Sequence, residues 1–189
     1  MPQEKDRRVR RTRARLEQAM LELMQEKDAR SVTVQELTRR ADVNRGTFYA
    51  HYKDIFDLLD QMEEGLFVRL DRLLSSYSDQ ELSRELTPLL ADVFRFVRDE
   101  PVLRVALRDQ ATQNSFFRRL DQLIYQKYRE DWRGLFLPTD RQLWSGCLDF
   151  MVAGAVGLIR GWMDRGFQED PEQLAQLANR LILRGLSLF

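Results

Sequence analysis

The chain has 189 residues, 30 basic and 30 acidic side chains, and 43% hydrophobic residues including 11 Phe and 3 Trp; this supports a real core and excludes a disordered chain. Its single cysteine, Cys147, excludes an intramolecular disulfide and a multi-cysteine zinc site. The charged start MPQEKDRRVRR has no apolar signal-like region, and the longest nearly uncharged apolar stretch, residues 146–159, is shorter than the roughly 18 residues of a spanning helix, so a cytoplasmic protein without membrane contact is expected.

With only 5 Pro and 9 Gly among many Leu, Ala, Arg, Glu and Gln, an all-α fold is expected. The zero net charge hides an asymmetry: through Lys53 there are 13 Lys and Arg against 8 Asp and Glu, and from Asp54 onward 17 against 22. Arginines crowd the first 16 residues. A basic amino-terminal third is read either as a face turned to a polyanion or as a solvated terminus.

Leu16, Ala19, Met20, Leu23 and Met24 recur at helical spacing, so a first helix is expected to fade near Lys27 and Asp28. SVTVQELTRRA opens a second helix with a capping box, Thr33 with Glu36, and buries Val34, Leu37 and Ala41. Asp42-Val43-Asn44 forms a tight corner, because Asp and Asn tolerate left-handed angles and cap helices. A third helix is expected to run from after Asn44 to about His51, with Phe48 and Tyr52 on its core side and Gly46 and Ala50 opposite. Asp54 then caps a longer fourth helix. Further helices are expected to start at Thr87-Pro88, at Glu100-Pro101, at Asn114 or Ser115, after Thr139 with Gln142, and after Asp170-Pro171; Gly166 ends the penultimate one.

A helix face centred on Gly46 and Ala50, edged by Thr47, Tyr49 and Lys53, can lie close against another surface and suits the DNA major groove. The run TVQELTRRADVNRGTFYAHYKDIFDLL resembles the DNA-binding signature of the TetR/AcrR family of transcriptional regulators. Thr33, Leu37, Ala41, Val43, Gly46, Thr47, Phe48, Tyr49, His51, Tyr52, Lys53, Asp54 and Leu58 carry the likeness, which is strong over residues 10–60 and architectural beyond. The chain departs from the family pattern at Asp42, where Gly is common, and at Ile55, where a phosphate-holding Lys is usual.

The resemblance implies a helix-turn-helix DNA-binding domain over residues 1–55, with a basic tail at 1–10, and a larger helical effector-binding and dimerisation domain over 56–189. By position it implies a guanine contact from Arg45 and close approach at Asn44, Gly46, Thr47 and Ala50. Phosphate contacts would come from Thr33, Tyr49, His51 and Lys53. For each of these the plain alternative is a solvated or packing side chain.

Two recognition helices need a homodimer to reach successive grooves of a palindromic double-stranded operator. Gly154, Gly157 and Gly161, with Leu174, Leu177 and Leu181, form the candidate interface; close packing within one subunit is the alternative. Phe94, Phe116, Tyr125, Tyr128, Trp132 and Phe150 are candidates for lining a small-molecule effector pocket, against the plain reading as core. No cofactor, metal site or enzymatic cluster is expected from one His and one Cys. A ligand-responsive dimeric repressor is the leading reading, and a TetR-like co-regulator acting through protein contact the alternative.

Overall fold

The computed structural model describes residues 2–106, 110–130 and 141–186, and every extended regular element among them is helical. In chain order these are α1 (Pro2–Glu26), a 3-10 turn (Ala29–Ser31), α2 (Val34–Ala41), α3 (Arg45–Tyr49), α4 (Ile55–Ser75), α5 (Asp79–Arg84), α6 (Thr87–Asp99), α7 (Pro101–Ala106), α8 (Gln110–Glu130), α9 (Arg141–Asp164) and α10 (Pro171–Leu186). None of the described helices is long and apolar enough to cross a membrane. The chain divides into two compact units, Met1–Val68 and Arg69–Phe189, so the division falls inside α4 rather than at residues 55 and 56. The first half of α4 explains this: it buries Ile55, Leu58, Met62 and Leu66, and its Gln61 accepts a hydrogen bond from Arg13 of α1.

In the first unit, Leu16, Ala19, Met20, Leu23 and Met24 are all buried along one face of α1. Residues 2–10, expected as a tail, are the first turns of that helix. Their Arg, Lys and Glu are good helix formers, so a basic composition did not mean an irregular chain. The Thr33–Glu36 capping box is formed at α2, with both reciprocal bonds present. The corner after α2 is a Schellman motif. Asp42 sits at φ 51°, ψ 53°, its amide donates to the Arg39 carbonyl at 3.3 Å, and the Val43 amide reaches the Thr38 carbonyl at 2.9 Å. Thr38 is buried and satisfied, its hydroxyl donating to the Val34 carbonyl at 2.8 Å.

The second unit keeps some expected starts and shifts others. α6 and α7 begin at Thr87 and Pro101, but α8 begins at Gln110, so Asn114 and Ser115 lie inside it. The expected Thr139–Gln142 box lies outside the described residues. α5 is a helix beyond the expected ones, and Ser78 and Glu81 make a second full capping box at its start. Gly166 (φ +73°) and Phe167 (φ +59°) turn the chain after α9, and Asp170 Oδ1 accepts from the Glu172 and Gln173 amides to start α10. Trp162 is fully buried there, edge-on to Phe94 at 5.4 Å and Phe167 at 4.9 Å, with its indole N–H donating to the Glu169 carbonyl at 2.9 Å. Arg95 of α6 bridges Asp92 and Glu172, which ties α6 to α10.

The left-handed angle at Asp42 makes a stability test. Asp42→Val is expected to cost about 1–2 kcal/mol, the penalty of a Cβ-branched side chain in that backbone region. Asp42→Gly should stay within about 1 kcal/mol of the parent, since glycine adopts the angle freely while the exposed Arg15–Asp42 ion pair it loses is worth little. Urea-unfolding midpoints measure both; a valine variant as stable as the parent would show that the corner has another accessible backbone.

Candidate functional site

α3 is five residues long, and a helix that short has almost no stability of its own. It is held from three directions. Asn44 Oδ1 accepts from the Gly46 amide at 2.8 Å and caps the start. Phe48 and Tyr52 are buried and pack at 5.6 Å, which pins the helix from below. At its end the His51 and Tyr52 amides both donate to the Phe48 carbonyl at 2.9 Å. Two reciprocal bonds then start α4: Asp54 Oδ1 accepts from the Asp57 amide at 2.8 Å, and Asp57 Oδ2 from the Lys53 amide at 2.7 Å. The Gln61 side chain and that Lys53 amide hold the Asp57 carboxyl below its usual pKa.

With Phe48 and Tyr52 turned inward, the opposite side of α3 is open. Arg45, Gly46, Ala50 and Lys53 are exposed, as are Asn44 and Thr33, while Thr47 and His51 are half-exposed. Tyr49 is 52% exposed although its ring meets Phe48 edge-on at 5.3 Å, so the core braces it without enclosing it. A Cβ added to Gly46 would meet only its own cap, Asn44 Oδ1 at 3.5 Å. Among the described residues nothing else lies within 4 Å of that added atom.

Ile55, at the position where a lysine was expected, is buried at 6% exposure, so it supplies core instead of charge. Several arginines are also engaged within the unit. Arg13 lies over the Tyr52 ring at 5.5 Å, Arg15 pairs with Asp42 at 2.8 Å, and Arg40 with Glu26 at 2.9 Å. At the start of α2, Lys27 donates to Glu36 at 2.7 Å beside the Thr33 hydroxyl and amide; these bonds pull the Glu36 carboxyl down to a pKa of about 2.

The second unit contains an apolar cavity of about 140 Å³. α4 contributes Leu70 and Leu74, α6 Leu89 and Phe94, α9 Val152 and Ala155, and α10 Ala178 and Ile182, among others. Of the six aromatic residues considered for a pocket, Phe94 lines it. Phe116 is buried away from its lining and packs edge-on with Phe117 at 5.3 Å. The Tyr125 hydroxyl donates to Asp149 at 2.5 Å, and Phe150 is 81% exposed. Trp132 and the side chain of Tyr128 lie outside the described residues. Apart from Phe94, the wall is made of aliphatic and methionine side chains.

α9 also carries an open face. Gly154 and Gly157 are exposed with no atom within 4 Å of an added Cβ, and Gly161 is half-exposed, its nearest neighbour the flexible end of Arg165. On α10, Leu177 and Leu181 are 38% and 64% exposed, whereas Leu174 is buried in its own chain.

Residues 18–62, which hold the capped α2, the corner and α3, match the family described as "Bacterial regulatory proteins, tetR family", and residues 84–184 match "Transcriptional regulator C-terminal region". The chain belongs to the TetR family of transcriptional regulators. This is a family of DNA-binding helix-turn-helix proteins, not of enzymes. The HTH-type transcriptional regulator YxbF of Bacillus subtilis strain 168 is 27% identical over 177 residues, 90% of this chain; the chain spans only 44% of that relative's length. The dihydroxyacetone kinase operon activator DhaS shares the fold at TM-score 0.64 and 19% identity, over 94% of this chain and 97% of that one. SmeT of Stenotrophomonas maltophilia, solved with triclosan, does so at 0.64 and 18%, over 92% and 90%.

The Glu36 bonds give a signed pH dependence. Because its folded pKa is depressed, the contribution is present above the ordinary carboxyl value of 4.5 and is lost as pH falls toward about 2. Glu36→Gln should therefore flatten the acid side of the stability profile between about pH 5 and pH 2. Urea midpoints across that range test it, and parallel profiles for the two proteins would contradict it.

Proposed function

We propose that this TetR-family chain is a ligand-responsive dimeric repressor, working in the cytoplasm on a palindromic double-stranded operator and leaving it when a small effector binds. The open, unbulky α3 face carries the reading: Gly46 and Ala50 are exposed while Phe48 behind them is sealed. That surface fits a major groove. Arg45 at the front of α3 is suited to a bidentate guanine contact, worth about 1–3 kcal/mol of discrimination. On this reading Asn44, Thr47 and Ala50 form the approach surface, and Tyr49, His51, Lys53 and Thr33 meet phosphates.

The open α9 face with Leu177 and Leu181 supports pairing of two copies, which brings two α3 helices to one duplex. Phe150, exposed on α9, belongs with this face rather than with a pocket. The apolar cavity supports an effector. Linkage supplies the mechanism: an effector that prefers the conformation with mis-spaced α3 helices lowers operator affinity by its differential binding. SmeT, the repressor of a multidrug efflux pump, was solved with triclosan, which supports both the repressor and the effector parts. One observation favours a second reading, a co-regulator working through protein contact: Ile55 is core where the family pattern has a phosphate-binding lysine.

Band-shift titrations against DNA from the chain's own promoter region, at several salt concentrations, separate these readings. Binding should weaken steeply as salt rises, through counterion release. Arg45→Ala should relax sequence preference, whereas Lys53→Ala should weaken all duplexes alike and reduce the salt slope by about one. Equal affinity for every duplex, or none, favours the co-regulator.

Sedimentation tests the pairing. The parent is expected to run as a dimer and Gly157→Arg as a folded monomer with at least tenfold weaker operator binding. A Gly157→Arg protein that remains dimeric would place the interface elsewhere.

A further inference from the structure

We infer that the cavity of the second unit takes a compact, uncharged hydrocarbon group of about six to eight carbons, held by shape alone with no hydrogen bond. This deepens the proposed effector reading and rests on it for the regulatory consequence, but the ligand class follows from the wall itself. All sixteen lining side chains are Leu, Ile, Val, Ala, Met or Phe, drawn from α4, α5, α6, α8, α9 and α10. None carries a charge, a hydroxyl or an amide.

Size sets the upper limit. The space of about 140 Å³, open to solvent on one side, is close in volume to the roughly 150 Å³ Leu/Ile/Phe-lined sites that accept benzene or xenon. A single ring or a short branched chain fills such a space; a steroid or a long acyl chain does not. Chemistry sets the other limit. A carboxylate, phosphate or hydroxyl brought inside would shed its water and find no partner, so polar analogues are selected against.

The wall also indicates where filling is felt. Leu70 and Leu74 reach the cavity from the last turns of α4, and on the same stretch Asp71 and Ser75 are held by Lys127 of α8 at 2.9 and 2.6 Å. An occupant therefore presses on a segment of α4 that is already clamped to its neighbour. Ala155 and Ala178 are the small residues on the wall, and they leave the room that an occupant uses. Trp162 touches Phe94, a lining residue, and gives an optical report on occupancy.

Purified full chain is equilibrated with benzene or cyclohexane, and in parallel with phenol and hexanoate at matched concentrations. Melting temperature and Trp fluorescence are followed, with operator release measured on the same samples. The hydrocarbons should raise the melting temperature by about 3–6 °C at tenfold excess over the dissociation constant, phenol by less, and hexanoate not at all. Ala155→Phe should fill the space and abolish the hydrocarbon response. Should that variant fail to fold, Leu89→Ala takes its place, and must then admit p-xylene at least tenfold more tightly than the parent does.

No response to either hydrocarbon in folded parent protein overturns the assignment, as does a response that survives in Ala155→Phe or hexanoate binding more tightly than benzene. Hydrocarbon binding without operator release supports the ligand class and removes the effector role from the cavity. Operator release by hexanoate without hydrocarbon binding overturns the ligand class and leaves the regulator reading in place. A chain that binds hydrocarbon but no duplex supports the ligand class and defeats the repressor reading alone.

Discussion

Burial of the Phe48 ring is the constraint on which the amino-terminal unit depends. A single helical turn does not persist in water, because nucleation fixes several dihedral pairs for very few hydrogen bonds. α3 exists because Phe48 and Tyr52 give it a buried side, and removing a ring of that size from a tight core costs about 3–5 kcal/mol. Once that side is fixed, helical periodicity leaves no freedom about the other. Gly46 and Ala50 must face away from the core. The Schellman corner at Asp42 sets the direction from which α3 enters, and the Asn44 cap sets where it begins. An exposed surface without bulk is thus a consequence of packing beneath it.

Charge contributes less directly than the composition implies. The arginine-rich start suggests a generous polyanion-binding surface, yet Arg13, Arg15 and Arg40 are turned onto Tyr52, Asp42, Glu22 and Glu26. These contacts organise α1 against α2 and α3. A polyanion approaching this unit would compete with them or meet other side chains, of which Arg45 and Lys53 stand in the open. Ile55 follows the same logic: it sits where sealing the start of α4 takes precedence over adding a cation.

What could be read from the sequence was local. The Thr33–Glu36 box, the Asp42 corner, the buried Phe48 and Tyr52 and the Asp54 start all rest on contacts spanning a few residues, and each is present. Errors arose where local signals were weak or outvoted. Residues 2–10 looked like a tail by charge but are helical by propensity. Ser78-Asp79-Gln80-Glu81 carried the same box pattern as Thr33 and was passed over among longer helices. Asn114 and Ser115 are reasonable caps, yet Gln110–Glu130 runs through them because tertiary context overrides a single cap. The cavity was least legible of all. Its wall joins six helices, so no window of sequence contains it, and abundant aromatics drew attention from the leucines that line it.

The cavity also has an energetic side that bears on whether it is incidental. The pocket leaves an almost wholly apolar wall facing an open space of about 140 Å³, and apolar surface left uncovered forgoes the stabilisation that burial gives. Filling it would be simple, since Ala155 and Ala178 both stand on its wall and a larger aliphatic residue at either would occupy it. Elsewhere the same unit packs tightly: Trp162 is completely buried between Phe94 and Phe167. A core that closes around an indole while leaving a ring-sized apolar pocket beside it is not short of packing material. The pocket is explained if its occupant comes from outside, because the missing contacts are then supplied by binding and become the free energy that shifts the conformational balance.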